Sequence, residues 1–220
     1  QFNDKADLQR YPRMPEKDAL MLEGAGCNAL FLPAVNEIYP NDETAEFNFG
    51  TLGTTLEGRY RPGHFNGVAQ VVKRLFEIVE PHKAFFGRKD LQQVLIVKAL
   101  CKQAGFKTEI VACPILRETD GLAMSSRNAL LSPEERHTAG LIPGIMSQAV
   151  QTAREHSIAS AKELVAGQTA KEPLMKLDYF EICDPETLEV LNKLQPDKPA
   201  VALIAMYVGK IRLIDNLNIN

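Results

Sequence analysis

The sequence has 220 residues, 45% hydrophobic and 24% charged, which fits one large globular domain or two small ones and excludes a disordered or fibrous chain. With 25 basic against 28 acidic side chains and a formal net charge of -3, no global field draws nucleic acid or an anionic membrane, so an anionic ligand needs a local site. The four cysteines, Cys27, Cys101, Cys113 and Cys183, form no C-x-x-C pair and read as buried thiols in a reducing compartment. No apolar run is long enough to span a bilayer and the first residues are no signal peptide, which predicts a cytoplasmic protein.

The chain opens on QFND without a methionine and reads there as the exit from a structural element, which predicts further residues upstream. PEKDALMLEGAG from Pro15 has proline in the first turn, early acids and closing glycines, and predicts a short helix. NALFLP, residues 28–33, predicts a buried strand, EIYPND a turn, and AEFNFG, residues 45–50, a second strand. Over residues 65–80, Val68, Val71, Val72, Leu75, Phe76 and Val79 recur at helical spacing. KAFFG predicts a strand, residues 89–104 a helix closed by Gly105, and FKTEIVACP, residues 106–114, another strand.

Strands alternating with helices in this way imply right-handed crossovers and a doubly wound, Rossmann-like α/β parallel sheet. After Pro114 the pattern changes to a loop with MSSRN, a helix opening at Ser132, and a second helix near residues 158–171. A strand-rich tail of LDYFEIC, VALIAMYV and KIRLIDN follows, with DPETLEVL as a short helical link. This predicts an α+β second domain, dividing the chain into residues 1–114 and 115–220.

Three stretches carry chemistry. In FFGRKDLQQV a glycine follows a strand and the next residues open a helix, so unpaired amides and the helix dipole favour an anion. Lys89 adds a charge there, and Gln93 lies four residues on, on the same face. The competing reading is a solvated helix start, with Arg88 as a solubility charge. In DGLAMSSRN, Asp120 and Gly121 signal a turn, while the Ser125 and Ser126 hydroxyls and the Arg127 fork suit phosphate. As a bare pattern, S-S-R is more often a helix cap. In LEGRYRPGHFNGV, Arg59, Arg61 and His64 surround a Pro-Gly turn, and the residues alone favour a structural role. His82, His137 and His156 have no metal-ligand spacing, and no H-E-x-x-H, Walker A or G-x-S-x-G pattern occurs.

Taken in order, QF, RYPR, EIYP, LEG-x-x-RPGHF-x-GV, FFG-x-KD-x-QQ and DGLAMSSRN resemble the pantoate-beta-alanine ligase family, from Gln1 to RLIDN near the C-terminus. The resemblance implies a nucleotidyltransferase fold and a cytoplasmic homodimer making pantothenate, on the coenzyme A pathway, from pantoate, beta-alanine, ATP and magnesium. It implies a pantoyl adenylate intermediate. Gln1 and Gln93 then match the pair that holds pantoate. Gly87, Arg88, Lys89 and Asp90 match the nucleotide-binding turn. Leu116 falls on the adenine side, and Met124, Ser125, Ser126 and Arg127 match the loop that closes on the ATP phosphates. Lys89, Ser125, Ser126 and Arg127 would carry the catalysis, without a protein nucleophile.

Two departures accompany the resemblance. Arg88 stands where the family commonly has an acid. The family's first βαβ portion, with a histidine-x-glycine-histidine motif, is not in this sequence, and such a unit takes roughly 30 residues. A remnant that binds nucleotide or dimerises without catalysis is therefore the alternative. Another nucleotidyltransferase, such as a cytidylyltransferase, is disfavoured by the paired glutamines and RPGHF.

Overall fold

The structure is a computed structural model that describes residues 8, 9, 11–39 and 45–219. Gln1 lies outside the described residues. From Pro15 the described residues form helices α1 (Pro15–Gly24), α2 (Val35–Ile38), α3 (Thr51–Thr54), α4 (Glu57–Tyr60) and α5 (His64–Val79). Strand β1 (Lys83–Gly87) then leads through a 3-10 turn at Arg88–Asp90 into α6 (Leu91–Ala104) and β2 (Glu109–Cys113). The two strands pair in parallel, from Lys83 opposite Glu109 to Gly87 opposite Cys113, as a strand-helix-strand crossover requires.

The helical spacing of the apolar residues sets the packing here. Val68, Ala69, Val72 and Phe76 of α5 meet Val97, Leu100 and Cys101 of α6, and Phe106 closes the end with its ring edge-on to Phe76 at 5.7 Å. Gly105 ends α6 at φ +72, the left-handed C-terminal position that its lack of a Cβ makes cheap.

Two expected strands are absent. Residues 28–33 form no strand, with Leu30 and Phe31 each 49% exposed, because no described strand lies beside them to take their backbone groups. Residues 45–50 also form no ladder. Their alternation does place Phe47 and Phe49 on one side, stacked at 6.0 Å and packed on the α5–α6 core, but the Phe47 amide donates to the Asn66 side chain instead of a strand.

Beyond residue 114 come α7 (Pro133–Ala139), α8 (Ile142–Glu155), α9 (Ile158–Thr169) and strands β3 (Met175–Cys183), β4 (Ala200–Val208) and β5 (Ile211–Ile219). The strands form an antiparallel sheet in the order β3-β4-β5. Helix α8 is additional to the two helices expected. Its Pro143 falls in the first turn, where no amide is needed, and Ile142, Ile145, Met146, Ala149, Val150 and Ala153 form one buried stripe. DPETLEVL is a turn, not a helix, since Asp184 Oδ1 takes the amides of Glu186 and Thr187 and competes with helical bonding.

Strand β4 is buried along both faces. Alternation sends Ala202, Ile204 and Met206 against α8 and α9, and Val201, Leu203 and Ala205 against Leu56 and Leu91 of the N-terminal part. The antiparallel sheet is thereby wedged between its own helices and the α3–α4–α6 region.

Candidate active site

At the carboxyl end of β1 and β2 the chain leaves the sheet by two segments, the 87–90 turn and the 114–127 loop, and a cleft of about 760 Å³ opens between them. This is where ligands bind in open α/β sheets. The turn contributes Gly87, Lys89 and Asp90, and α6 contributes Gln93. From the loop come Leu116, Met124, Ser125, Ser126 and Arg127. Nine of the residues singled out from the sequence therefore line a single cavity.

Arg88 is the exception. Its guanidinium turns to β5 and donates to Asn218 Oδ1 at 2.8 Å, and it does not line the cleft. That orientation accounts for a base where an acid is usual, because the side chain is outside the cavity.

The loop is shaped by local bonds. Arg117 pairs with Ala123 across an antiparallel bridge, Asp120 Oδ1 accepts the Leu122 amide, and Gly121 adopts φ +88, so the Asp-Gly turn forms as its composition predicts. The Met124 amide donates to the Leu116 carbonyl at 2.9 Å. Ser125 does cap the following 3-10 helix, its Oγ accepting the Arg127 amide at 3.2 Å. Capping and a place in the cleft are compatible: the cap fixes the backbone that presents Arg127. The Arg127 guanidinium lies 5.6 Å from the centre of the Tyr11 ring, and Ser126 Oγ donates to the Tyr11 hydroxyl at 3.4 Å.

Arg61 and His64, for which the residues alone favoured a structural role, also border the cavity. Both line the cleft, with Arg61 Nη1 and His64 Nε2 3.1 Å apart. Tyr11 lines the cleft too and was not among the candidate residues. A Pro-Gly turn before an amphipathic helix says nothing of a cavity it shares with residues 87–93 and 113–127, and only the ordered motifs pointed there.

The electrostatics favour an anion. Arg61, Lys89 and Arg127 face one carboxylate, Asp90, among the cleft-lining residues. Burial lowers the Lys89 pKa from its ordinary value, against the raising effect of Asp90, and Arg127 lowers it further. An anionic ligand would relieve that penalty. No cluster of three or more His, Cys, Asp or Glu able to hold a metal occurs among the described residues.

Beneath the cleft, Glu57 ties α4 to the antiparallel sheet. Its carboxylate accepts two bonds from Arg212 and one from the Tyr179 hydroxyl at 2.8 Å, while the Glu57 amide donates to Gln92 Oε1. Burial opposes ionisation, but the Arg212 and Tyr179 bonds outweigh it and hold the carboxyl below its usual range. Leu56 accepts φ +47 to deliver Glu57, and a Cβ on Gly58 would strike the Gly53 carbonyl, which explains the glycine of LEG.

A family model described as Pantoate-beta-alanine ligase matches residues 1–218. The chain belongs to the pantoate-beta-alanine ligase family. A pantothenate synthetase of Porphyromonas gingivalis is 46% identical over 217 residues, covering 99% of this chain and 77% of the relative. One from Phocaeicola vulgatus is likewise 46% identical, with the same coverage. The Thermus thermophilus pantothenate synthetase superposes with a TM-score of 0.91 at 41% identity, covering 99% of this chain and 79% of that one. The pantoate-beta-alanine ligase of Francisella tularensis, solved with beta-gamma ATP and beta-alanine, superposes with a TM-score of 0.78 at 31% identity, covering 98% and 74%.

These findings bear out the nucleotidyltransferase-like fold and the activity of a pantoate-beta-alanine ligase, the ATP-dependent formation of pantothenate. The remnant reading is not favoured. Among the described residues, no helix is long and apolar enough to cross a membrane.

Proposed function

We propose that the cleft joins pantoate to beta-alanine in two steps on one nucleotide. A pantoate carboxylate oxygen attacks the α-phosphorus of ATP, a new P–O bond forms, and the bond to pyrophosphate breaks. The amine of beta-alanine then attacks the acyl carbon of pantoyl adenylate, loses a proton as the amide forms, and AMP leaves. The observation that carries this reading is the convergence of Lys89, Arg127, Ser125 and Ser126 on the cavity that also holds Gln93.

The roles follow from charge and reach. Lys89 and Arg127 offset the charge that grows on the phosphate oxygens, with the Ser125 and Ser126 hydroxyls as donors. Gly87, Asp90 and the Arg88 backbone shape the nucleotide turn, and Leu116 and Met124, 73% and 53% exposed, offer an apolar ledge to the adenine. Gln93, with Gln1 as its counterpart, hydrogen-bonds pantoate. Arg61 and His64 add donors to the same pocket.

Magnesium carried with ATP would offset phosphate charge. An ion of this kind keeps several waters and takes one or two carboxylates besides phosphate, and Asp90 fits that need. We further propose a division at residues 114/115, a homodimer, and a cytoplasmic place on the route to coenzyme A, which the family resemblance supports.

The test is pyrophosphate release by the protein with ATP, magnesium and pantoate, followed by AMP release only when beta-alanine is added. Folded protein that releases no pyrophosphate under these conditions overturns the reading.

A further inference from the structure

Two neighbouring residues of β5 reach both phosphate-binding segments. Asp215 and Asn216 are 4% and 3% exposed. The Asn216 side-chain amide donates to the carbonyls of Arg88 at 2.7 Å and Lys89 at 3.0 Å, both in the nucleotide turn. The Asp215 carboxylate accepts Arg117 through two bonds, Nη1 to Oδ2 at 2.7 Å and Nη2 to Oδ1 at 3.0 Å. Arg117 also donates to the carbonyls of Gly121 at 2.9 Å and Asn216 at 3.2 Å, so it holds the base of the loop that carries Ser125 to Arg127. Asp215 and Asn216 are themselves joined, the Asn216 amide donating to Asp215 Oδ1 at 2.7 Å.

The result is a continuous path of hydrogen bonds from the Lys89 turn, through Asn216 and Asp215, to Arg117 and the serine loop. Neither β5 residue lines the main cleft. Two cations on separate segments gain from being held at a fixed spacing before the ligand arrives, since ordering them afterwards costs affinity.

We infer that Asp215 and Asn216 are positioning residues for the polyphosphate, holding the Lys89 turn and the Ser125–Arg127 loop at the separation that one nucleotide bridges. The inference rests on the reading of Lys89 and Arg127 as phosphate ligands. Asn216 acts on Lys89 through its carbonyl, whereas Gln93 is placed by helix α6. Loss of Asn216 therefore weakens ATP and spares pantoate.

Calorimetric titration of the protein with ATP and with pantoate tests this, using Asn216→Ala, Lys89→Ala and the double variant. Expected are ATP binding about tenfold weaker in Asn216→Ala, pantoate binding within about twofold of the parent, and a double variant little weaker than Lys89→Ala alone. Unchanged ATP binding in Asn216→Ala, an equal loss for both ligands, or independent multiplying effects overturns the inference. If Lys89→Ala and Arg127→Ala leave ATP binding unchanged, the phosphate reading itself fails, which is a separate result. Should Asn216→Ala not fold, Arg117→Lys keeps the charge of a half-exposed residue and removes its fork; the same selective loss for ATP is expected, and its absence counts against the inference.

Discussion

Arg212 and Glu57 meet through paired hydrogen bonds, Nη1 to Oε2 at 2.7 Å and Nη2 to Oε1 at 2.8 Å, across 155 positions of chain. Replacing Glu57 by Gln keeps the volume but removes one of the two carboxylates that balance the guanidinium, the other being Asp178, whose Oδ2 accepts Arg212 Nε at 2.8 Å. Removing one partner of a buried pair costs about 3–5 kcal/mol. Urea unfolding of Glu57→Gln is expected to show a loss of that order, and a loss below about 1 kcal/mol would show that the pair holds nothing together.

The same pair makes stability sensitive to acid. The folded pKa of Glu57 lies below its ordinary value of 4.5, so the unfolded chain binds the proton more readily. Its contribution is complete above that ordinary value and is lost as pH falls through the lower folded one. The stability gap between the parent and Glu57→Gln is therefore expected to be constant at neutral pH and to narrow below about pH 4.5, followed by unfolding midpoints. A gap that widens in acid contradicts the assignment.

Lys89 gives an alkaline counterpart. Burial lowers its pKa, and Arg127 acts the same way, while Asp90, Asp215 and Glu57 oppose them. In the protein without nucleotide, ATP affinity is expected to begin falling below the ordinary lysine value of 10.5. Lys89→Arg should remove that alkaline fall, and Lys89→Ala should weaken ATP about tenfold or more at neutral pH, as loss of a charge-assisted bond does. A profile in Lys89→Arg that matches the parent would assign the fall to another group.

Gln93 separates the substrates. Gln93→Ala is expected to weaken pantoate by about 1–2 kcal/mol while ATP affinity stays within about twofold, measured by equilibrium titration of each ligand. Equal losses would deny it a pantoate role.

Met146 probes the core that the proline-containing helix builds. It is 1% exposed on α8 among Ile142, Ile145 and the β-sheet. Met146→Ala is expected to cost about 2–5 kcal/mol in unfolding experiments without changing ATP affinity.

Local rules were legible where the chain satisfied them locally. The helix expected to open at Ser132 does so, through a capping box with Glu135, and Gly105 ends α6 as its position implied. Residues 28–33 could not be read in that way, because a strand is a relation between two segments and the apolar run names no partner. Helix α8 was hidden by Pro143 and Gly144, whose usual meaning is a break; the stripe from Ile142 to Ala153 was the stronger signal. In the cleft, helix spacing made Lys89 and Gln93 candidates and composition did the same for Ser125 to Arg127, but only the family resemblance set them ahead of a solvated helix start and a helix cap. Arg61 and His64 enter the cleft by folding of α4 and α5 against α6, a long-range placement that no short window contains.

Strand β4 has no solvent side. A chain severed after Pro114 would leave Val201, Leu203 and Ala205 facing water, together with Tyr179, the bidentate Arg212 and the unshielded side of Leu188. Among the described residues the two halves share a hydrophobic seam, so parting them would expose apolar surface on both. A designer who wishes to graft the phosphate loop onto another scaffold must carry the seam with it.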